Sequence, residues 1–179
     1  MGVALIGITQ GAGILGIDAF QVEVQVDHTR GLNQCHLVGL PDSSIREAIR
    51  RIRPAIIHSG FKWPRGSLTI NLSPAGIKKD GTGFDLPIAL AILIASNQCP
   101  DIKTDSLSSC LFCGELNLDG TIKPIPGMLS RAIHSDKLGY DYLVTSAENA
   151  VAASVIESIS SIPVTSLKSA VSWLEDMNA

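Results

Sequence analysis

The stretch Ser67–Ala95, SLTINLSPAGIKKDGTGFDLPIALAILIA, decides the fold. Leu68, Ile70 and Leu72 alternate with polar residues, the two-residue period of a half-buried strand. Ser73 to Phe84 is polar and glycine-rich and reads as a loop. From Asp85 to about Ala95 the chain is almost wholly apolar, and Pro87 sits where the first turn of a helix tolerates it. The spacing therefore predicts a buried helix entered through a tight loop from a strand.

Working upstream, Phe20 to Val26 alternates apolar and polar residues, and Val3 to Thr9 is an apolar strand candidate. Gly31 and Asn33 mark a turn, Cys35 to Val38 a short strand, and Gly39-Leu40-Pro41 a break. Ser44 and Glu47 have the spacing of a capping box, so a helix starts there. Ile45, Ile49, Ile52 and Ile56 form its core-facing stripe, Pro54 predicts a kink or a brief break, and Gly60 ends it. Downstream, Leu111 to Gly114 is a strand and Asp119-Gly120 a hairpin turn leading to Thr121-Ile122. Helices near Met128–Leu138, Ala147–Ile156 and Leu167–Leu174 alternate with strands at Tyr142–Thr145 and Ile162–Thr165. The fold class is α/β (α+β): a mixed sheet with helices packed on it, in a single domain over residues 1–179.

Of the 179 residues, 45% are hydrophobic but only 4% aromatic, so Ile, Leu, Val and Ala must build the core. A net charge of −3 gives no global argument for nucleic acid or membrane. No secretory signal or membrane span is expected, and Cys35, Cys99, Cys110 and Cys113 show no disulfide framework; reduced thiols in a cytoplasm are expected.

Three motif matches lack their chemistry. Gly11-Ala12-Gly13-Ile14-Leu15-Gly16 fits a dinucleotide fingerprint, but strand-like alternation follows it where a helix N-terminus is needed to meet a pyrophosphate. Gly76 and Gly81 have P-loop spacing, but Thr82 and Gly83 stand where Lys and Ser or Thr must follow. Cys110 and Cys113 lack a second ligand pair for zinc, and His28, His36, His58 and His134 are scattered, so no metal site is expected.

Three segments in order carry a family resemblance: Val38-Gly39-Leu40-Pro41-Asp42 with Arg46-Glu47, Thr69 to Ala75 through Lys79 to Ala89, and Gly114 to Gly120. They resemble the N-terminal domain of the ComM (YifB-like, magnesium-chelatase-related) proteins, over about Leu5 to Leu174. The resemblance implies the fold of the Lon protease domain, reused in the RadA recombination protein. It also implies a following AAA+ ATPase module, hexameric rings and action in DNA branch migration during natural transformation. ATP and Mg belong to that module, not to this chain, which shows no Walker motif and is expected to stop before the motor.

Lon-type peptidases use a Ser nucleophile activated by a Lys of depressed pKa. Laying the family's patterns on this chain puts Gly83 at the Ser position and Leu129 at the Lys position. Glycine has no nucleophile and leucine accepts no proton, so a catalytically silent domain is expected. Thr82, with Lys79 or Lys123 as base, is the alternative of a rearranged peptidase.

Charge distribution gives the positive lead. Eight cations lie between Arg46 and Lys79 (Arg46, Arg50, Arg51, Arg53, Lys62, Arg65, Lys78, Lys79), and Glu47 is the one acid beside them until Asp80. Arg46, Arg50 and Arg53 share a helical face away from the isoleucine stripe. With Lys78 and Lys79 they are candidates for contact with DNA phosphates or with an acidic surface of the ATPase; a merely solvated face, or a domain that only orders the ring, is the competing reading. The loop residues Asp80, Gly81, Thr82 and Asp85 form a second candidate surface, for an anion or a peptide, unless they only shape the turn.

Overall fold

A computed structural model describes residues 5–79 and 81–179. Nine strands and six helices are present among these residues: β1 (Ile6–Leu15), β2 (Asp18–Thr29), β3 (Gln34–Val38), α1 (Ser43–His58), β4 (Ser67–Ser73), α2 (Asp85–Ala95), α3 (Thr104–Ser108), β5 (Cys110–Cys113), β6 (Glu115–Leu116), β7 (Ile122–Lys123), α4 (Met128–Lys137), β8 (Tyr142–Ser146), α5 (Ala147–Ala153), β9 (Ser160–Val164) and α6 (Leu167–Asn178). Of the strand expected to start at Val3, the first two residues, Val3 and Ala4, lie outside the described residues. Seven strands make one sheet in the order β3-β4-β2-β1-β5-β8-β9, and β6 pairs with β7 around the Asp119-Gly120 turn. β2 runs antiparallel to β1 and β4, and the other four pairings are parallel, so the sheet is mixed and mostly parallel.

α2 lies at the centre of the molecule. All eleven of its residues are buried, as a helix apolar all round after Asp85 requires. It packs on β1 and β2 with α1 and α6 beside it, and Val22, Val24, Val26, Leu68, Ile70 and Leu72 join the same core from the sheet. Each fully buried Leu or Ile side chain stabilises the fold by about 1.5–3 kcal/mol, so this layer supplies most of the driving force. α4 and α5 cover Ala12, Leu111, Cys113 and Leu143 on the opposite face.

The glycine tract is strand, not a nucleotide loop. Gly11 and Gly13 lie within β1, and a Cβ on Gly13 would meet the Phe20 ring at 2.6 Å. At Gly7 it would sit 2.0 Å from the Ala91 carbonyl oxygen, so glycine lets the α2 backbone lie against β1.

Two expectations for α1 need correction. Asp42, not Ser44, caps the helix: its carboxylate accepts from the Ile45 amide at 2.9 Å, and Ser44 donates to that same carboxylate at 2.7 Å. Pro54 causes no break; α1 runs through it to His58, and the hydrogen bond it forfeits is the one to Arg50, an exposed residue. The short α3 is a further addition, since no local pattern announces it.

Candidate functional site

Four features collect around α1 and the loop before α2: the Gly83 corner, the Asp85 carboxylate, the Lys79 ammonium and the arginine face.

At the corner, backbone bonds hold Gly83 against Gly114. The Gly114 amide donates to the Gly83 carbonyl and the Leu86 amide to the Gly114 carbonyl, each at 3.1 Å. Gly83 is buried, and a Cβ there would lie 2.7 Å from Ile125 Cδ1 and 3.6 Å from Arg131 Nη2. A side chain at this position would therefore meet a methyl group and a guanidinium. Arg131 is 6% exposed; its Nε donates to the Ala12 carbonyl at 3.1 Å and its Nη1 to the Pro126 carbonyl. A guanidinium carries donors and no acceptor, so it offers no general base here. Leu129, by contrast, is 49% exposed on the outside of α4. Thr82 is half-buried, and its carbonyl accepts from the Asp85 amide at 3.3 Å. Sequence reasoning missed Arg131, because nothing in its local pattern marks a buried cation.

Asp85 does not belong to an open loop surface. It is fully buried, and its carboxylate takes Arg51 Nε at 2.8 Å, Arg51 Nη2 at 2.9 Å and the Leu116 amide at 3.0 Å. Burial pushes the carboxyl above the usual range, while the Arg51 fork and the Leu116 amide pull against it. One ion pair thus ties α1, α2 and β6 together, and it takes Arg51 out of the basic surface. Lys123 and Glu115, 3.7 Å apart, form a second, more exposed pair.

Lys79 likewise leaves the contact face. It is fully buried, and its ammonium donates to the Gly39 carbonyl at 2.8 Å and to the Pro74 carbonyl. Burial pulls its pKa below that of an ordinary lysine. Its backbone pairs with the segment before α1: Lys79 N donates to Leu40 O at 3.1 Å, and Asp42 N to Lys79 O at 2.9 Å. Gly39 makes this possible. Its φ is +100°, and a Cβ would lie 2.0 Å from the Leu72 carbonyl oxygen. Ser44 Oγ and Gly81 complete the junction, at 3.1 Å. With Lys79 turned inward, Lys78 is the one of the two lysines that the Gly76–Gly81 loop exposes, and Thr82 stands where the lysine of a P-loop would follow. Asp80 lies outside the described residues.

Arg46, Arg50 and Arg53 are exposed on α1, opposite buried Ile45, Ala48, Ile52, Ala55 and Ile56, as their spacing predicts. Lys78, Lys62 and Arg65 are exposed as well. The Arg53 guanidinium lies 5.7 Å from the centre of the half-buried Trp63 ring. No group of three or more His, Cys, Asp or Glu suited to a metal occurs among the described residues. Cys110 and Cys113 are buried; burial pushes the Cys110 thiol up to about 12 and also raises Cys113, which leaves both as packing groups. No helix among the described residues is long and apolar enough to cross a membrane.

Fold and site define a mixed α/β domain that presents a cationic helix face beside a corner whose polar groups are engaged in structural bonds. Residues 22–149 match the family model for subunit ChlI of Mg-chelatase, and the chain belongs to that family. It is 37% identical over 161 residues to an uncharacterized protein of Mycobacterium tuberculosis (strain ATCC 25618 / H37Rv), covering 90% of this chain and 31% of that one. To the uncharacterized protein YifB of Escherichia coli (strain K12) it is 41% identical over 130 residues, 73% of this chain and 25% of the relative. To Competence protein ComM of Haemophilus influenzae (strain ATCC 51907 / DSM 11121 / KW20 / Rd) it is 34% identical over 142 residues, 79% and 27% respectively. The chain thus spans less than a third of the length of these relatives.

Proposed function

We propose that this chain is a non-catalytic DNA-contact and assembly domain with the Lon protease-like fold, acting beside the AAA+ motor of a hexameric, cytoplasmic, ComM-like branch-migration ATPase. The observation that carries the reading is the exposed Arg46, Arg50 and Arg53 row with Lys78, from which Arg51 and Lys79 are withdrawn into structural bonds. Spaced arginines of this kind neutralise phosphates without reading sequence. The name of the Haemophilus relative, a competence protein, is in keeping with a ligand of that class. Silence in proteolysis is supported by Gly83 lacking a nucleophile and by the Arg131 guanidinium, which carries donors only, beside it. ATP and Mg would be held by the motor; neither the Gly76–Gly81 loop nor any described carboxylate cluster here suits them.

Fluorescence anisotropy of labelled DNA against salt tests the proposal. Wild type binds at about 50 mM salt with a steep log–log slope, and the Arg46→Gln/Arg50→Gln/Arg53→Gln protein loses about three units of slope on duplex DNA, roughly 0.9 per phosphate contact. Lys79→Gln leaves the slope unchanged. An unaltered slope in the triple variant, or no binding by wild type, overturns the reading.

A further inference from the structure

We propose that Trp63, covered by Arg53 at the end of the basic helix, is a stacking platform for an unpaired base, which makes single-stranded DNA the ligand of this face. The inference rests on the phosphate-contact reading above and adds the class of ligand to it.

Trp63 is neither a core residue nor a free surface one: it packs against the main core and stays partly exposed. Its neighbours are cations, with Lys62 before it, Arg65 two residues after and Arg53 over the ring. An aromatic ring set among cations is the composition that tracks a single strand, charges on phosphates and ring on base. The turn that presents it is fixed. The Gln98 carboxamide clamps the Lys62 backbone twice, accepting from its N–H and donating to its carbonyl, both at 2.8 Å. The Phe61 amide donates to the Ile56 carbonyl at 3.1 Å, and Pro64, which follows the ring, is buried. A rigid ring loses little freedom on stacking.

Arg53 is the removable part. It is exposed and, among the described residues, forms no ion pair, so the ring alone engages its guanidinium. An exposed cation–π contact is worth only about a two- to fivefold factor. A stacked base is worth about fivefold to more than a hundredfold, and the displaced guanidinium gains a charge-assisted bond to phosphate. The exchange of cation for base over Trp63 therefore favours the strand. Paired bases inside a duplex have no free face to offer, so a duplex engages the arginines without the ring.

Trp63 and Trp173 are the two tryptophans. Trp173 packs edge-on against Tyr142 at 5.3 Å, a contact that phenylalanine can keep, so Trp173→Phe leaves Trp63 as the reporter. This protein is titrated with oligo(dT), with an abasic strand of equal length and with a blunt duplex, anisotropy recording binding in parallel. The expected result is saturable quenching by oligo(dT) and none by the abasic strand or the duplex, although all three bind. Trp63→Leu weakens oligo(dT) about fivefold or more without weakening the abasic strand, and Trp63→Tyr restores most of the loss. Equal quenching by the abasic strand, or equal weakening of both strands by Trp63→Leu, overturns the proposal while phosphate contact stands. If no strand binds, both readings fall. Should Trp63→Leu not fold, the quenching comparison decides by itself.

Discussion

Replacing Asp85 by alanine removes three hydrogen bonds at once, two from Arg51 and one from the Leu116 amide. The arginine is left without its partner, and a buried N–H loses its acceptor. Breaking a buried pair from one side costs about 3–5 kcal/mol, because the surviving charge is stranded. Here the Arg51 side chain is 20% exposed and can recover some water, which puts the expected loss near the lower end, about 3 kcal/mol. A domain of this kind has about 5–15 kcal/mol in total, so Asp85→Ala should fold but melt early. In urea, with a slope of about 1–3 kcal/mol per molar, the circular-dichroism midpoint should fall by about 1–3 M. Asp85→Asn keeps an acceptor for Leu116 and should cost less than alanine. Arg51→Ala should be strongly non-additive with Asp85→Ala, with a coupling of about 1–3 kcal/mol. A midpoint shift below about 0.3 M, or simple additivity, would refute the claim that this pair ties α1 to α2.

Asp42→Ala should destabilise the protein by about 1 kcal/mol through loss of the α1 cap, read by urea unfolding at about pH 7. Burial pushes the Asp42 carboxyl up, but hydrogen bonds from Ser44, Ile45 and Gly81 outweigh it and hold the pKa below the ordinary value. The cap's contribution is therefore present above the unfolded pKa of about 3.9 and lost as pH falls through the lower folded value. The gap between wild type and Asp42→Ala should close on acidification; a gap that persists at about pH 2 contradicts this. Gly83→Ser should cost about 1–3 kcal/mol as Ile125 gives way, and should gain no peptidase activity. Adding Leu129→Lys should not help, since a lysine at that exposed site keeps its proton. Casein turnover, or labelling of Thr82 or of the introduced serine hydroxyl by a hydroxyl-directed inhibitor, would show the site to be live.

Much of the fold was legible because periodicity is a local property. The alternation in β2 and β4 named the faces that line the main core, and the arginine spacing named the exposed side of α1. The capping box failed for a local reason as well: Asp42 and Ser44 are both good caps two residues apart, and Ser44 is taken by Asp42 and Gly81. Lys79 and Asp85 were misplaced because polar residues in a glycine-rich loop look solvent-facing until their partners are known.

Local pattern alone settled a mixed α/β chain, a central apolar helix and the family resemblance. Which charges remain at the surface was settled only by the packed chain. Arg51 meets Asp85 across 34 residues, Lys79 reaches Gly39 across 40, and Arg131 reaches Ala12 across 119. Burying a charge is tolerated only where such partners converge. Convergence depends on how elements stack, which no local spacing records.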